Sequence, residues 1–175
     1  MSMTTAVAQD RFKDVMAGVG GPGTVVTAFD EGEPHGTTVT AFASLSLDPP
    51  MVTVALSENS SLLPRIIRSG RFGVNLLCAS QEEPAARFAR RDVDRFAGTH
   101  WYADNGLPRL AGCLGWVACD VAQAVRGGDH TLLLGAVTDA QQGTPEHPLI
   151  YLNRAFGMLL PGPGIMPAVT SRTVS

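Results

Sequence analysis

The sequence predicts a mainly β fold with a few short helices, arranged as an antiparallel barrel. Six or more segments have the composition of strands, while only two or three have the helical spacing of apolar residues. Most of these strands are joined by tight turns and not by helical crossovers, which argues against a doubly wound sheet. No linker or internal repeat divides the 175 residues, so we expect one domain over residues 1–175 with a loose tail over residues 160–175.

The N-terminal third is predicted to contain one helix and three strands. The helix covers about residues 5–16, and a Gly-rich run ends it. Its apolar side is formed by Val7, Phe12, Val15 and Met16. The predicted strands cover residues 24–29, 35–42 and 51–56. The Asp48-Pro49-Pro50 step holds the chain extended before the third of them.

The central part is predicted to hold two helices around a buried strand. Ser60 or Ser61 can cap the first helix, and Gly70 can end it. Its inward side chains are Leu62, Leu63, Ile66 and Ile67. A buried strand follows over residues 72–77. Ser80 and Glu83 have the spacing of a capping box, which predicts a second helix through Ala89.

The C-terminal half is predicted to begin with an irregular polar segment over residues 91–109, which includes Trp101 and Tyr102. Two longer strands over residues 113–125 and 131–141 are joined by a turn at residues 126–129. A last strand is expected over residues 149–159.

Composition and charge argue against several classes of function. Hydrophobic residues make up 45% of the chain and charged residues 17%, which favours a homodimer that hides apolar surface, although a large core explains the same composition. A net charge of −3 with no basic tail argues against nucleic-acid binding. No apolar run has the length of a membrane span, and the N-terminus lacks the order of a signal peptide, so we expect a cytoplasmic protein.

The cysteines and one glycine motif are interpreted as structural features. Cys78, Cys113 and Cys119 have the spacing of neither a disulfide framework nor a zinc site, so we expect buried apolar side chains and no metal. The Gly18-x-Gly20-x-x-Gly23 run matches the dinucleotide fingerprint in letters only. That fingerprint requires a strand before it and a helix after it, whereas the order predicted here is the reverse.

Two hydroxyl-rich segments are the candidate binding elements. Gly36-Thr-Thr-Val-Thr-Ala41 offers hydroxyl and backbone N–H groups beside a glycine that permits close approach. Ser57-Glu-Asn-Ser-Ser61 joins a strand to a predicted helix, whose N-terminal N–H groups favour a phosphate. Capping and turn formation use the same residue types, so this pattern leaves both interpretations open.

Basic and aromatic side chains add weaker candidates. Seven arginines between Arg65 and Arg95 suit a solvated surface, although one or two could contact a phosphate or an adenine ring. His130 follows Gly127-Gly-Asp129 at the start of a strand and could point into a cleft. No serine-nucleophile elbow and no acid/base pair is visible.

Several segments together resemble the flavin reductase-like family, the NAD(P)H:flavin oxidoreductases that serve two-component monooxygenases. They occur in the family's order and cover about residues 12–159. The main matching segments are Gly36-Thr-Thr-Val39, Ser44-Leu-Ser-Leu-Asp-Pro-Pro-Met-Val52, Asn59-Ser-Ser61, Ser69-Gly-Arg-Phe-Gly-Val-Asn-Leu-Leu77 and Gly127-Gly-Asp-His130. The resemblance implies a split β-barrel of the FMN-binding type, usually a homodimer.

The resemblance also implies a set of flavin-binding residues. The residues implied to line the flavin are Thr37, Thr38, Val39, Thr40, Ala41, Ser44, Ser46, Leu47, Phe88 and Tyr151. Those implied to approach its phosphate are Ser57, Asn59, Ser60 and Ser61. His130 is implied to be the catalytic residue, since it would sit beside the flavin ring and the incoming nicotinamide.

The implied reaction is hydride transfer from NADH or NADPH to FMN or FAD, with the reduced flavin passing to a separate monooxygenase. The cofactor carries this chemistry and the protein aligns two rings. Two alternatives remain at this point. The first is a flavoenzyme that retains its flavin and acts on an organic substrate, and the second is a non-catalytic flavin- or haem-binding barrel with His130 or His100 as axial ligand.

Overall fold

The computed structural model describes residues 9–159, which form three short α-helices and twelve strands. The helices are α1 (Gln9–Ala17), α2 (Leu63–Ser69) and α3 (Glu82–Ala89), and a 3₁₀ turn covers Ala79–Gln81. The strands are β1 (Gly21–Pro22), β2 (Thr24–Asp30), β3 (Glu33–Val39), β4 (Phe42–Leu47), β5 (Pro50–Ser57), β6 (Arg71–Leu76), β7 (Trp101–Asp104), β8 (Leu107–Leu110), β9 (Gly115–Gly127), β10 (His130–Gln142), β11 (Leu149–Leu152) and β12 (Ala155–Met158).

Seven strands form the main sheet, in the order β3-β2-β6-β9-β10-β5-β4, and every neighbouring pair is antiparallel. The two outermost strands, β3 and β4, are consecutive in the chain and are joined only by residues 40 and 41. The Ala55 N–H donates to the Ala41 carbonyl at 3.0 Å, which links this joint to β5. The sheet therefore curls until its edges meet, and the predicted antiparallel barrel is confirmed.

The barrel interior is filled by alternate residues of its strands, as the two-residue repeat of a strand requires. In β5, Val52, Val54 and Leu56 are buried, whereas Ala55 and Ser57 face outward and are partly exposed. β2 instead buries five consecutive residues, because the interior covers one of its faces and α3 with the β7–β8 hairpin covers the other. Burial raises the pKa of the Cys113 and Cys119 thiols to about 12, which fits their prediction as core side chains.

Helix α3 packs closely on β3. A Cβ added to Gly36 would lie 2.9 Å from the Phe88 ring, so only glycine permits this approach. The Thr38 hydroxyl donates to the Ala85 carbonyl at 2.6 Å, and the Thr37 hydroxyl donates to the Phe88 carbonyl at 3.4 Å. The close approach that Gly36 permits is therefore used by α3 and not by a ligand.

The first predicted helix is present and lies on the surface of the protein. α1 begins at Gln9, and none of its residues is buried. Arg154 holds it by an ion pair of 2.6 Å to Asp14, and the Asn153 N–H donates to the Ala17 carbonyl at 2.7 Å. The predicted start at residues 5–8 and the tail over residues 160–175 lie outside the described residues. Within residues 9–159, the helices are all too short to cross a membrane.

The region from residue 35 to residue 70 corrects two predictions. The strand expected over residues 35–42 ends at Val39, because the chain bends before β4 starts. α2 begins at Leu63 without a side-chain cap, and the Ser60 hydroxyl accepts a hydrogen bond from the Leu62 N–H instead. Ile67 was expected to point inward, but half of its surface is exposed. Gly70 ends the helix at φ 69°, as predicted.

Three further predictions were wrong in detail. Ser80 does not cap α3, since its hydroxyl donates to Glu146, and the capping box at the preceding 3₁₀ turn joins Cys78 and Gln81. The segment over residues 91–109, expected to be irregular, contains β7 and the start of β8. The last predicted strand is a hairpin, because Asn153 and Arg154 adopt positive φ values and turn the chain.

Candidate functional site

A groove of about 460 Å³ lies on the outer surface of the barrel, where the ends of β3, β5 and α3 meet the start of β10. Its walls are formed by residues 37–41, by residues 55–57 and 59–61, and by Ala89, Arg91, Arg95 and His130. Sheet ladders fix two of these walls, because β5 pairs with β10 and His130 lies directly opposite Ser57. The groove has the size of a small-ligand site, since such sites are about 300–1,000 Å³.

The first wall follows β3 and offers backbone groups more than hydroxyls. The hydroxyls of Thr37 and Thr38 already donate to carbonyls of α3. The N–H groups of Thr40 and Ala41 make no hydrogen bond with any residue that the structure describes. Two adjacent unpaired N–H donors at the lip of a groove suit a ligand with polar acceptors along one edge.

The second wall is the turn after β5, where serine hydroxyls cluster. The Ser57 hydroxyl accepts from the Asn59 N–H at 3.2 Å, and the Ser60 hydroxyl accepts from the Leu62 N–H at 3.3 Å. Both hydroxyls thus keep their own hydrogens for a ligand. The Ser61 N–H has no partner within residues 9–159. These donors are typical of a phosphate site, and they belong to the turn because α2 begins later than predicted.

The basic end of the groove is formed by Arg91 and Arg95. Arg95 donates to the carbonyls of Gly36 and Arg90 at 2.6 and 2.7 Å. Burial and the neighbouring Arg91 lower the pKa of the Arg95 guanidinium. Both arginines line this end of the groove, and neither forms an ion pair with a carboxylate within residues 9–159, so together they favour an anion here. The sequence indicated a set of arginines, and the structure selects these two.

His130 stands at the opposite lip, at the first position of β10. Its Nδ1 lies 2.8 Å from a carboxylate oxygen of Asp129, and 47% of its side chain is exposed. The hydrogen bond and the charge of His130 lower the pKa of the Asp129 carboxyl. Asp129 therefore orients the imidazole, whose other ring nitrogen can face a ligand.

Five of the predicted flavin-binding residues lie outside this groove. Ser44, Ser46 and Leu47 belong to the edge strand β4. Phe88 is fully buried and packs edge-on against Phe96 with ring centroids 4.9 Å apart. Tyr151 lies in β11 and packs on Phe156. Sequence reasoning missed three groove residues, Ala55, Leu56 and Ala89, since small or buried side chains give no chemical signal.

The donor set decides which ligand the groove can hold. Its polar members are hydroxyl, backbone N–H and guanidinium groups together with the Asn59 amide and the His130 imidazole, and all of them can donate hydrogen bonds. Within residues 9–159 no cluster of three or more His, Cys, Asp or Glu side chains is arranged to hold a metal ion. The fold and the groove define a barrel protein with a donor-rich groove that suits a phosphate-bearing organic ligand.

The chain belongs to the flavin reductase like domain family, whose model matches residues 16–159. A phosphate-bearing flavin fits the donor set of the groove. The family and the split-barrel fold predicted from the sequence are confirmed. The predicted enzyme class, an NAD(P)H:flavin oxidoreductase, is supported by relatives that are named flavin reductases and NADH:flavin oxidoreductases.

Three similar proteins show how far this likeness extends. The chain is 34% identical over 171 residues to the actinorhodin polyketide dimerase of Streptomyces coelicolor, with 97% of each chain covered. It is 37% identical over 155 residues to the NADH:riboflavin 5′-phosphate oxidoreductase of Streptomyces pristinaespiralis, with 86% of this chain and 88% of the relative covered. Its structure resembles a nitrilotriacetate monooxygenase component B homolog from Mycobacterium thermoresistibile at a TM-score of 0.86, with 32% identity and 95% of each chain covered.

Proposed function

We propose that this protein is an NAD(P)H:flavin oxidoreductase that binds FMN or FAD in the groove and reduces it with NADH or NADPH. The observation that carries the proposal is the coincidence of the two predicted hydroxyl-rich segments with the two walls of one groove. Residues 37–41 and 57–61 are distant in sequence, and the barrel brings them together on either side of an anion-binding end. The family and its named relatives support the same activity.

We propose separate roles for the walls of the groove. The serine turn and the two arginines would hold the phosphate, with Ser57, Ser60 and Ser61 as hydroxyl donors. The free N–H groups of Thr40 and Ala41 would hold a polar edge of the ring system. Bound flavin supplies the redox chemistry, since its ring system accepts a hydride from the nicotinamide.

His130 is proposed to position the rings and not to move a proton. Hydride transfer needs alignment of two rings more than it needs an acid or base, and alignment alone can supply a large part of the rate. The imidazole is held by Asp129 at the open lip, where a nicotinamide would enter.

The reduced flavin is proposed to pass to a separate monooxygenase. The groove is open to solvent and its lining mixes hydroxyl, backbone and small apolar groups, which suits a ligand that binds and leaves. The similar structure from Mycobacterium thermoresistibile is itself described as a homolog of a monooxygenase component.

A homodimer is proposed from the edge strand β4. Leu45 is 50% exposed and Leu47 is 88% exposed on this strand, at the edge of the seven-stranded order. Exposed apolar side chains on one strand favour burial against another chain, and a second copy is the simplest cover. Size-exclusion chromatography with light scattering tests this, and a monomer at micromolar concentration would contradict it.

A second candidate function is a flavoenzyme that retains its flavin and acts on an organic substrate. The relative named a polyketide dimerase favours it, because that match spans 97% of both chains. The two candidates differ in flavin retention. A reductase releases flavin on gel filtration and turns over free flavin, whereas a retaining enzyme stays coloured and turns over free flavin poorly.

The deciding experiment measures initial rates of NADH and NADPH oxidation with FMN, FAD and riboflavin in all combinations. We expect saturable rates with at least one phosphorylated flavin and weaker binding of riboflavin, because riboflavin cannot use the serine turn and the arginines. No turnover in any combination would contradict the proposed reductase.

A further inference from the structure

His130 is carried by a hairpin end that is exposed along its whole length. It lies at the lip of the groove that is proposed to bind flavin, the flavin groove. Residues 122–130, which form the ends of β9 and β10 and the turn between them, are all exposed. β6 pairs with β9 only as far as Asp120, so within the described residues β5 is the strand that borders this end. The position of His130 therefore depends on how the hairpin is attached to β5.

Two hydrogen bonds made by Glu58 provide this attachment beyond the sheet ladder. The last ladder pair of the two strands is Ser57 with His130. One residue further on, the Glu58 N–H donates to the Asp129 carbonyl at 2.9 Å. The Glu58 carboxylate accepts a hydrogen bond from the Thr131 hydroxyl. Glu58 thus holds the residue before His130 and the residue after it.

The Glu58 side chain does not face the flavin groove. Ser57 and His130 line that groove, whereas Glu58 and Thr131, the next residues along the two strands, do not. This follows from the alternation of side chains along a strand. Both side chains line a separate depression on the other side of the turn, beside Arg126. The carboxylate can therefore act on a bound ligand only through the strand ends that it joins.

Glu58 also belongs to the serine turn that is proposed to hold the flavin phosphate. The Ser57 carbonyl accepts from the Ser60 N–H at 2.8 Å, and the Ser57 hydroxyl accepts from the Asn59 N–H at 3.2 Å. One residue thus connects the phosphate turn to the strand that carries His130. The separation of these two elements decides whether a flavin anchored by its phosphate lies correctly beside the imidazole, and small errors of alignment are costly in rate.

We propose that Glu58 is a positioning residue, which holds His130 at a fixed distance from the phosphate turn through its bonds to Asp129 and Thr131. The proposal rests on the proposed reduction of flavin in this groove. Glu58 touches no ligand and transfers no proton. Its side chain needs only an oxygen that accepts from the Thr131 hydroxyl, so glutamine can replace it.

The test compares single-turnover reduction of bound flavin in the wild type and in variants of this hydrogen bond. We expect Glu58→Ala to slow reduction about fivefold and to change the flavin dissociation constant less than about twofold, because flavin binding uses other groups. Glu58→Gln should remain within about twofold of the wild type. Thr131→Val removes the other partner and should match Glu58→Ala, which keeps the test open if Glu58→Ala does not fold. Glu31→Ala is the matched control, since Glu31 is exposed in the β2–β3 turn and lines no part of the groove.

A double variant decides whether Glu58 acts through His130. Glu58→Ala added to His130→Ala should slow reduction no further than His130→Ala alone, because the group that Glu58 positions is then absent. Multiplied losses in the double variant would overturn the proposal. Equal losses in Glu58→Gln and Glu58→Ala would also overturn it, since the charge and not the hydrogen bond would then matter.

Amide hydrogen exchange separates this proposal from the reductase itself. In flavin-free protein, we expect residues 128–132 to exchange about fivefold faster in Glu58→Ala than in the wild type, Glu58→Gln or Glu31→Ala. Unchanged exchange in a protein whose wild type reduces flavin would overturn the positioning role and leave the reductase intact. Faster exchange in a protein whose wild type reduces no flavin would contradict the reductase and confirm that Glu58 fixes the hairpin end.

Discussion

The two adjoining grooves are built in different ways. The flavin groove is formed mainly by strand ends, and its donors include backbone N–H groups whose positions are fixed by the sheet. The second groove, of about 350 Å³, adjoins the flavin groove between the start of β3 and the loop over residues 91–96, and it depends on the side chains of that loop. Backbone recognition tolerates most changes of side chain, whereas recognition by a loop depends on the individual residues. We therefore expect ligand binding in the flavin groove to tolerate side-chain substitutions better than any binding in the second groove.

The largest expected effect concerns the packing of Phe88 between β3 and the loop over residues 91–96, which form walls of both grooves. Phe88 is fully buried between Gly36 of β3 and Phe96 of the loop, so Phe88→Ala should lower the free energy of unfolding by about 3–5 kcal/mol. Urea denaturation measures this change. Phe88→Leu keeps most of the volume and should cost about 1–2 kcal/mol with FMN binding unchanged. Loss of FMN binding in a folded Phe88→Leu protein would indicate that Phe88 contacts the flavin, as the family resemblance implied.

The next largest effect is expected from a negative charge introduced at Ser61, on the wall between the grooves. Ser61→Asp places a carboxylate on the wall that both grooves share, where the proposed flavin phosphate would lie, and like charges so close cost several kcal/mol. We expect FMN and FAD to bind about a hundredfold more weakly, as measured by flavin fluorescence titration. Ser61→Asn has the same shape without the charge, and it should weaken binding only a few fold. Equal losses in both variants would mean that shape and not charge matters at this wall.

A smaller effect concerns the far lip of the flavin groove. His130→Ala should lower kcat about tenfold and change the flavin dissociation constant less than about twofold, because the imidazole aligns rings that other groups bind. Single-turnover reduction of bound flavin measures this separation. His130→Gln cannot transfer a proton as histidine does, yet it should retain most of the activity. Loss of activity in His130→Gln equal to that in His130→Ala would indicate proton transfer by His130.

The smallest effect distinguishes two threonines of the same wall. The Thr38 hydroxyl donates to the Ala85 carbonyl, so Thr38→Val should cost about 1 kcal/mol of stability with little effect on flavin binding. Thr40 has no such bond within residues 9–159 and is exposed. Thr40→Val should therefore leave stability unchanged. A larger loss of unfolding free energy in Thr40→Val than in Thr38→Val would contradict the structural role of the Thr38 hydroxyl.

The strand-built groove was the more predictable of the two. Alternation in β5 and the turn before His130 are local patterns, and they predicted β5 and the start of β10 to within one residue before any tertiary information. The Ser57–Ser61 turn was also predicted as a binding element, although for a helix end that begins later.

The loop-built groove could not be predicted because its parts meet only in the folded chain. Nothing in the local sequence selects Arg91 and Arg95 from their arginine neighbours, since the selection depends on where α3 ends relative to β3. The packing of Phe88 against Gly36 is equally non-local. Phe88 was assigned to the flavin through a family resemblance, whereas tertiary packing puts it in the core.

Anaerobic reduction of flavin by NADH or NADPH tests the central claim most directly, when wild type is compared with Ser61→Asp and Ser61→Asn. Mixing wild-type protein with subsaturating FMN or FAD and the nicotinamide should bleach the flavin absorbance. We expect kcat/KM for flavin to fall about a hundredfold in Ser61→Asp and only a few fold in Ser61→Asn. Absence of bleaching by the wild type with every flavin and nicotinamide, or equal kcat/KM in wild type and Ser61→Asp, would contradict reduction of flavin in this groove.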